Sequence, residues 1–423
     1  MNLSHAEDRA AKVTPMPLRV RPAARPTLIA SEGSVSVSRK GESRILRGHP
    51  WVFRPDVEAS TSLPPGAIVR VHGPLGLFLG YAFYSSKSDI QLRLIQRSPE
   101  LSESFLQDRL GQAFQRRQAL WVGDRRGIGN AYRMVHGEAD GLPALIVDRY
   151  GDYLVIQTLS EGMERLKPRL VELLDELARP RGILERNDAK VRTLEGLPLR
   201  LELLSGHVPA KVEVDEAGIR LEVDLWKGRK TGLYLDQREN HLMARSYARG
   251  RVLDAFTYTG GFALHVAKNA DQVVALDISP EAVEQARQNA FRNDLWNVRV
   301  ETANALDYLR EASARAEPFD MIILDPPALA KSKDMVETAR RFYREINMRA
   351  MKLLSPGGTL ITCSCSNHIH EPDFESILVS AAAEAQTAMI LLEKRRQARD
   401  HPALLGAPET HYLKCAVLQR MPS

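Results

Sequence analysis

The sequence predicts an α/β protein in three parts: a small all-β module, a central α+β domain, and a C-terminal parallel sheet with helices on both faces. Three observations predict it. Residues 34 to 98 alternate short β-like runs with Pro/Gly turns. Ala131 to Trp226 mixes hairpin signals with one long helical pattern. After Lys230 the pattern strand, glycine turn, helix repeats, which specifies a parallel sheet.

The bulk numbers fit this organisation. A chain of 423 residues exceeds one ordinary core and suits two or three domains. With 44% hydrophobic and 26% charged residues it is globular in composition, and no apolar run approaches the ~20 residues that span a bilayer. The expectation is a protein with no membrane partner. The net charge of +5 is mildly basic, which suits a polyanionic partner without requiring one. Cys363, Cys365 and Cys415 are odd in number and have no paired metal spacing, so a reducing cytoplasm is the expected location. Residues 1–33, rich in Ala, Pro and Arg, read as a disordered basic extension. Glu7, Asp8, Pro15, Pro17 and Pro22 oppose an amphipathic targeting helix there.

In the module (34–99), strands are expected at 35–37, 67–71, 77–84 and 90–95, divided by Pro64-Pro65-Gly66 and Gly73-Pro74. The central domain (100–226) opens on a helix over 103–121, with Phe105, Leu106, Leu110 and Phe114 near a 3.6 period. It continues with strands at 131–135, 144–147 and 153–157, a helix over 161–178, and strands at 182–185, 211–214 and 219–223. In the C-terminal domain (227–423) the strand and helix pairs are 251–255 with 262–268, 272–276 with 280–293, 298–301 with 307–311, 321–324 with 335–354, and 359–363 with 371–385. Residues 410–419 alternate like an antiparallel terminal strand.

Ligands of such sheets bind at the carboxyl ends of strands. The first strand ends Asp254-Ala255-Phe256-Thr257-Tyr258-Thr259-Gly260-Gly261, without the G-x-G-x-x-G of dinucleotide folds. An acid there disfavours a pyrophosphate and suits a cationic sulfonium cofactor with a free amino group; a plain strand-to-helix turn is the alternative. Asp277 closes the second strand where α/β folds place the acid for ribose hydroxyls, with Ser279 before Pro280 as a helix cap. Asp325-Pro326-Pro327 stiffens the loop after the fourth strand and aims one acid at its neighbourhood. Cys365, at the fifth strand tip, is either buried filler or a thiol activated in an electropositive cleft beside Asp325. Cys363 reads as core. Asp236, Asp254, Asp277 and Asp325 sit at separate tips without histidine partners at ligand spacing, so no metal is expected.

Taken together, Lys230-Thr231-Gly232-Leu233-Tyr234-Leu235-Asp236-Gln237-Arg238-Glu239-Asn240, the 254–262 loop, Asp325-Pro326-Pro327, Ser364-Cys365-Ser366 and His401-Pro402 resemble the bacterial 23S ribosomal RNA cytosine-C5 methyltransferases. Gly48-His49-Pro50-Trp51-Val52-Phe53 resembles their N-terminal PUA domain, and Arg133 to Arg149, around Gly137-Glu138-Ala139-Asp140-Gly141, their central domain. The similarity covers nearly everything after residue 34. It implies a Rossmann-like class I methyltransferase sheet using S-adenosyl-L-methionine, with large-subunit ribosomal RNA as partner and a homodimer left open. It further implies that Tyr234, Asp236 and Gln237 approach the cofactor, that Asp254, Phe256, Tyr258, Thr259 and Gly260 hold its methionine part, and that Asp277, with Ile278 beside it, binds the ribose. Asn304, followed by Ala305, takes the adenine slot usually held by an acid, and its amide can accept from the adenine amine. The resemblance further implies that Asp325 and Pro326 lie against the cofactor.

The implied chemistry makes Cys365 the nucleophile at cytosine carbon 6, generating an enamine that attacks the methyl group. Asp325 holds the ring by its N3 and amino edge. Where some RNA cytosine-C5 enzymes carry a second cysteine, this chain has Pro327-Ala328, so the base that removes the C5 proton is unassigned. RNA is expected on the β module and around Arg44, Arg47, Lys227, Arg229, Lys230 and Lys331. Trp51 and Trp121 either stack a base or sit in a core. Methylation of a guanine nitrogen, which needs no nucleophilic cysteine, and a non-catalytic RNA-binding factor that keeps the cofactor fold are the alternatives.

Overall fold

The structure, a computed structural model, describes residues 30–58, 63–121, 129–315, 317–330 and 332–422. Most of the extension expected over 1–33 lies outside the described residues, as do Lys331 and the side chain of Trp121.

The N-terminal module comprises β1 (Gly33–Val37), α1 (Arg39–Leu46), β2 (Trp51–Phe53), β3 (Val57–Glu58), β4 (Ile68–His72), β5 (Phe78–Tyr84) and β6 (Ile90–Gln96). The six strands form one sheet in the order β2-β6-β5-β4-β1-β3. It is therefore not all-β. Ser38 caps α1 by accepting from the Gly41 N–H, and the helix turns Ile45 into the module's core. Its eight residues carry only two large apolar side chains, Ile45 and Leu46, too short a run for the sequence pattern to mark a helix.

The central domain holds α2 (Phe105–Trp121), β7 (Ala131–His136), β8 (Leu145–Tyr150), β9 (Tyr153–Thr158), α3 (Glu161–Ala178), β10 (Gly182–Asn187) and β11 (Arg200–Gly206). Its sheet runs β11-β10-β9-β8-β7. The Gly151-Asp152 turn joins β8 to β9 in register Tyr150 to Tyr153. Tyr81 and Phe83 of the module enter the same apolar core as α2 and α3. A hairpin, β12 (Lys211–Glu216) and β13 (Ile219–Asp224), stands between this domain and the next; its apolar face meets Tyr150 and Leu184 on one side and Leu264 and Ala290 on the other.

The C-terminal domain contains α4 (Arg238–Ala244), β14 (Arg251–Asp254), α5 (Gly261–Val266), β15 (Gln272–Asp277), α6 (Pro280–Arg292), β16 (Val298–Thr302), α7 (Ala305–Ala314), β17 (Phe319–Leu324), α8 (Val336–Leu353), β18 (Leu354–Ser364), α9 (Glu371–Ala385), β19 (Met389–Arg395) and β20 (Lys414–Arg420). The sheet order is β16-β15-β14-β17-β18-β20-β19, with β20 antiparallel to both neighbours. The chain leaves β14 toward β15 and β16, then returns to place β17 on the other flank of β14. That reversal is the switch point at which open α/β sheets bind ligands.

The loop from 396 to 413 fastens the domains together. Asp400 is fully buried and lies 3.1 Å from Arg238 and 2.9 Å from the Arg133 N–H. Its main-chain carbonyl accepts from Arg117, which also donates to Asp140 at 2.6 Å. Burial alone would raise the Asp400 carboxyl, but Arg238 and His401 hold it well below the usual range. Farther along, Glu409 reaches His49 of the module, and Trp51 donates to Glu138 of the central domain at 2.9 Å. Trp51 is thus a tether between domains. Among the described residues no helix is long and apolar enough to cross a membrane.

Candidate active site

The tips of β14, β15, β17 and β18 open into one cleft of about 500 Å³. Tyr234, Asp236, Gln237, Phe256, Tyr258, Thr259, Asp277, Ile278, Asn304, Ala305, Asp325, Pro326 and Cys365 all line it, so residues spread over 130 positions meet at one site. Asp254 and Gly260 do not line it.

Asp254 is fully buried under the first loop, where Oδ2 accepts from the Ala263 N–H at 3.0 Å in the first turn of α5. Burial pushes its carboxyl up to about 6. The acid expected beside the cofactor instead pins the helix that follows the loop. The loop reverses through Tyr258 and Gly260, whose φ values of 50° and 98° lie in the left-handed region. Gly261 matters for a different reason: a Cβ there would stand 2.5 Å from the His241 ring.

Asp277 shapes the next wall. It accepts from the Tyr258 N–H at 2.9 Å and from the Ser279 N–H at 2.9 Å, which fixes its carboxylate at the cleft. Ser279 in turn caps α6. Asn304 corrects an expectation. Its carbonyl oxygen accepts from the Leu306 and Asp307 N–H groups, capping α7, so the free part of the amide is the donating NH₂. It can meet a ring nitrogen of adenine, whereas the adenine amine needs another acceptor.

Asp236 sits opposite. Its Oδ2 accepts from Lys230 at 2.8 Å and from the Tyr412 hydroxyl at 2.8 Å, while Oδ1 is buried without a partner. Burial opposes ionisation, yet Lys230 and His401 hold the carboxyl well below its ordinary range. Lys230, expected on the RNA-facing surface, is exposed, but its ammonium is tied to Asp236 and lies over the Tyr234 ring at 4.3 Å. Arg44 likewise stacks on Phe53 at 4.5 Å; Arg47, Lys227 and Arg229 are exposed.

The reactive corner lies at the tips of β17 and β18. Burial, then the Asp236 carboxylate, push Asp325 up to about 7. The Cys365 thiol lies 4.0 Å from the Pro326 carbonyl, and Ser366 Oγ accepts from the Leu329 and Ala330 N–H groups, lashing the 325–330 loop to the end of β18. Burial, then Asp325, push the thiol up to about 11. The setting of Cys365 is mixed rather than electropositive: the Asp325 and Asp236 carboxylates raise the thiol, and the Lys230 and Lys414 ammoniums lower it. Lys414, which the sequence reading passed over, lies in the same corner. It is anchored to the Ser366 and Tyr412 carbonyls at 2.8 Å, and burial pushes it down to about 8. Its period-2 position on β20 was visible, but nothing local linked it to Cys365.

Comparison with known proteins decides the family. Residues 198–413, over half the chain, match the family described as S-adenosylmethionine-dependent methyltransferase, and residues 35–97 match a PUA-like domain. The chain is 39% identical over 381 residues to the ribosomal RNA large subunit methyltransferase I of Yersinia pseudotuberculosis and of Yersinia pestis, covering 88% of its own length and 96% of theirs. The chain belongs to this methyltransferase family.

A SAM-dependent methyltransferase from Streptococcus mutans shares the fold of this methyltransferase with a TM-score of 0.76 at 19% identity, over 92% of this chain and 99% of its own. A methyltransferase structure complexed with SAH aligns over the same shares with a TM-score of 0.78, also at 19% identity. The site fits S-adenosylmethionine on its own chemistry. Asp236 Oδ1 and Gln237 Nε2 are buried polar atoms without aligned partners, the kind a bound amino-acid moiety satisfies. Asp277 offers a fixed carboxylate to a ribose diol, and the Tyr234 and Tyr258 rings, 5.3 Å apart, suit a sulfonium.

Proposed function

We propose that this methyltransferase modifies large-subunit ribosomal RNA at carbon 5 of a cytidine through a covalent adduct on Cys365. The observation that carries the reading is that Cys365 and Asp325 line one cleft with Asp236 and Asp277, and that Asp325 acts on the thiol. The relatives, named as large-subunit ribosomal RNA methyltransferases, supply the ribosomal RNA, and the PUA-like match supplies a second surface for it.

When bound, S-adenosylmethionine supplies an electrophilic methyl group. The chain's residues do the rest. The thiol gives its proton to water, the Lys230 and Lys414 ammoniums favouring the thiolate, and the sulfur forms a bond to carbon 6 of the ring. Asp325, protonated below about 7, gives its proton to N3 as the ring accepts the electron pair. Carbon 5 is then nucleophilic and takes the methyl group. Loss of the carbon 5 proton to water expels the sulfur, restores the double bond and lets N3 return its proton to Asp325. The rival reading, methylation of a guanine nitrogen, draws on one observation: a thiol pushed up to about 11 is a weakly populated nucleophile.

Release of tritium from RNA labelled at carbon 5 of cytosine tests the proposal. Release in step with methyl incorporation is the expected result. Methyl incorporation without release moves the target to another atom and demotes Cys365 to a structural thiol.

A further inference from the structure

Behind the cofactor wall, three side chains from three elements converge. Glu216 ends β12, His241 lies on α4 and His265 on α5. Glu216 Oε1 lies 2.7 Å from His241 Nδ1 and 3.2 Å from His265 Nε2, and the three ligating atoms all fall within 4.8 Å of one another. All three residues are buried, and Glu216 and His241 also line the cleft.

The second observation concerns His265. Its exposure is 0%, and neither ring nitrogen makes an aligned hydrogen bond. A fully buried imidazole is ordinarily satisfied on at least one nitrogen, because a buried polar atom left bare loses its hydration without return. Here Nε2 is aimed at the carboxylate oxygen that His241 also approaches, but off the line of a hydrogen bond. Two imidazoles and one carboxylate pointed at a common centre are a transition-metal donor set. Burial keeps the His265 ring neutral, down to about 4, as ligation requires.

We propose that Glu216, His241 and His265 bind one zinc-class divalent ion, with its remaining coordination position facing the cleft. Ligand bonds of ~2.0–2.2 Å place neighbouring donors ~3.3 Å apart in a tetrahedral shell. The Glu216–His265 separation already meets this, and the Glu216–His241 pair opens by about 0.6 Å, the difference between that spacing and a hydrogen bond. Arg245, which donates to the Ala217 carbonyl at 2.8 Å, is a positive charge beside the site; the Glu216 and Asp215 carboxylates offset it. Gly261 belongs to the same design, since any larger residue would displace His241. The sequence reading foresaw no metal because no two of these ligands share a motif, and it looked among the strand-tip aspartates instead. The ion would tie the hairpin and two helices together at the back of the cleft. It has no step in methyl transfer.

The test uses the full chain, stripped with chelator and titrated with Co(II), followed by displacement with Zn(II). One equivalent per chain is expected, with the intense visible absorption of a tetrahedral Co(II) site that Zn(II) bleaches, and a higher Tm for the Zn(II) form. His265→Gln loses that equivalent, whereas His72→Gln, on the distant module, keeps it. X-ray absorption of the Zn(II) form needs no variant and should show two imidazoles and one carboxylate oxygen. No stoichiometric uptake, uptake that His265→Gln leaves unchanged, or sulfur in the shell from the cysteines would each overturn the proposal and make the cluster a hydrogen-bonded support.

Discussion

Two clusters of buried charge sit close together in this chain and are built on opposite terms. Around Asp400, carboxylates meet guanidinium groups from two domains, and the acid is held strongly ionised. Around Asp325 and Cys365, acids and a thiol face one another with few cations, and both groups are pushed up, to about 7 and about 11. The first arrangement spends charge on attachment. The second leaves Asp325 able to exchange a proton near neutral pH, which is what a chemical step requires. Charge pairing, more than burial, thus separates a structural cluster from a reactive one.

The largest test of that contrast is Cys365→Ala. On the carbon 5 reading it should lower the methyl-transfer rate by ~10³-fold or more while S-adenosylmethionine affinity and Tm stay near those of the parent. An active variant removes the reactive half of the comparison. Asp400→Ala should do the reverse. It strands Arg238 in the interior, and breaking a buried pair costs ~3–5 kcal/mol, readable as a fall in unfolding free energy with urea. If stability hardly moves, the Asp400 cluster is not the fastener described above.

The pH dependence sharpens the reactive half. Transfer needs Cys365 as thiolate and Asp325 as acid, and the pair carries one proton fewer than its fully protonated form only above about 7. Rate should therefore climb with pH up to about 7, then level until about 11, where the second proton is lost. Asp325→Asn should lower the rate ~10²–10⁴-fold and let it keep rising past 7, because only the thiol then titrates. A variant profile that still breaks near 7 assigns that limb to another group. The smallest effect is expected for Asp277→Ala: weaker S-adenosylmethionine binding by ~1.5–3 kcal/mol, seen by calorimetry, with the carbon 5 chemistry unchanged.

The sequence made the strand tips legible because each is a local event: an apolar run, a small or acidic residue, a helix start. That was enough to bring Asp277, Asp325 and Cys365 to one cleft and to place α3 and α9 at the bounds observed. It failed where partners are distant. The edge strands β11 and β19 lack clean alternation, with Leu201, Leu203, Leu391 and Leu392 exposed, so neither stood out. Asp254 was assigned to the cofactor because a strand-tip acid reads alike whether it faces outward or turns back to the next helix. The Tyr412 hydroxyl that meets Asp236 comes from 176 residues along the chain, and no local pattern spans that distance.

One feature of the sheet bears on how the enzyme comes into being. β20 lies between β18 and β19 although it follows both in the chain. During synthesis β18 and β19 emerge first and have no mutual pairing to make; they must wait for the strand that separates them. That strand carries Lys414, and the residue pinning Asp236 is two positions ahead of it. The pocket consequently cannot assemble in step with translation of its own first walls. A nascent chain that has released β14 to β18 holds the cofactor loop and the thiol but lacks the piece that closes them, so competence for methyl transfer arrives in one late event.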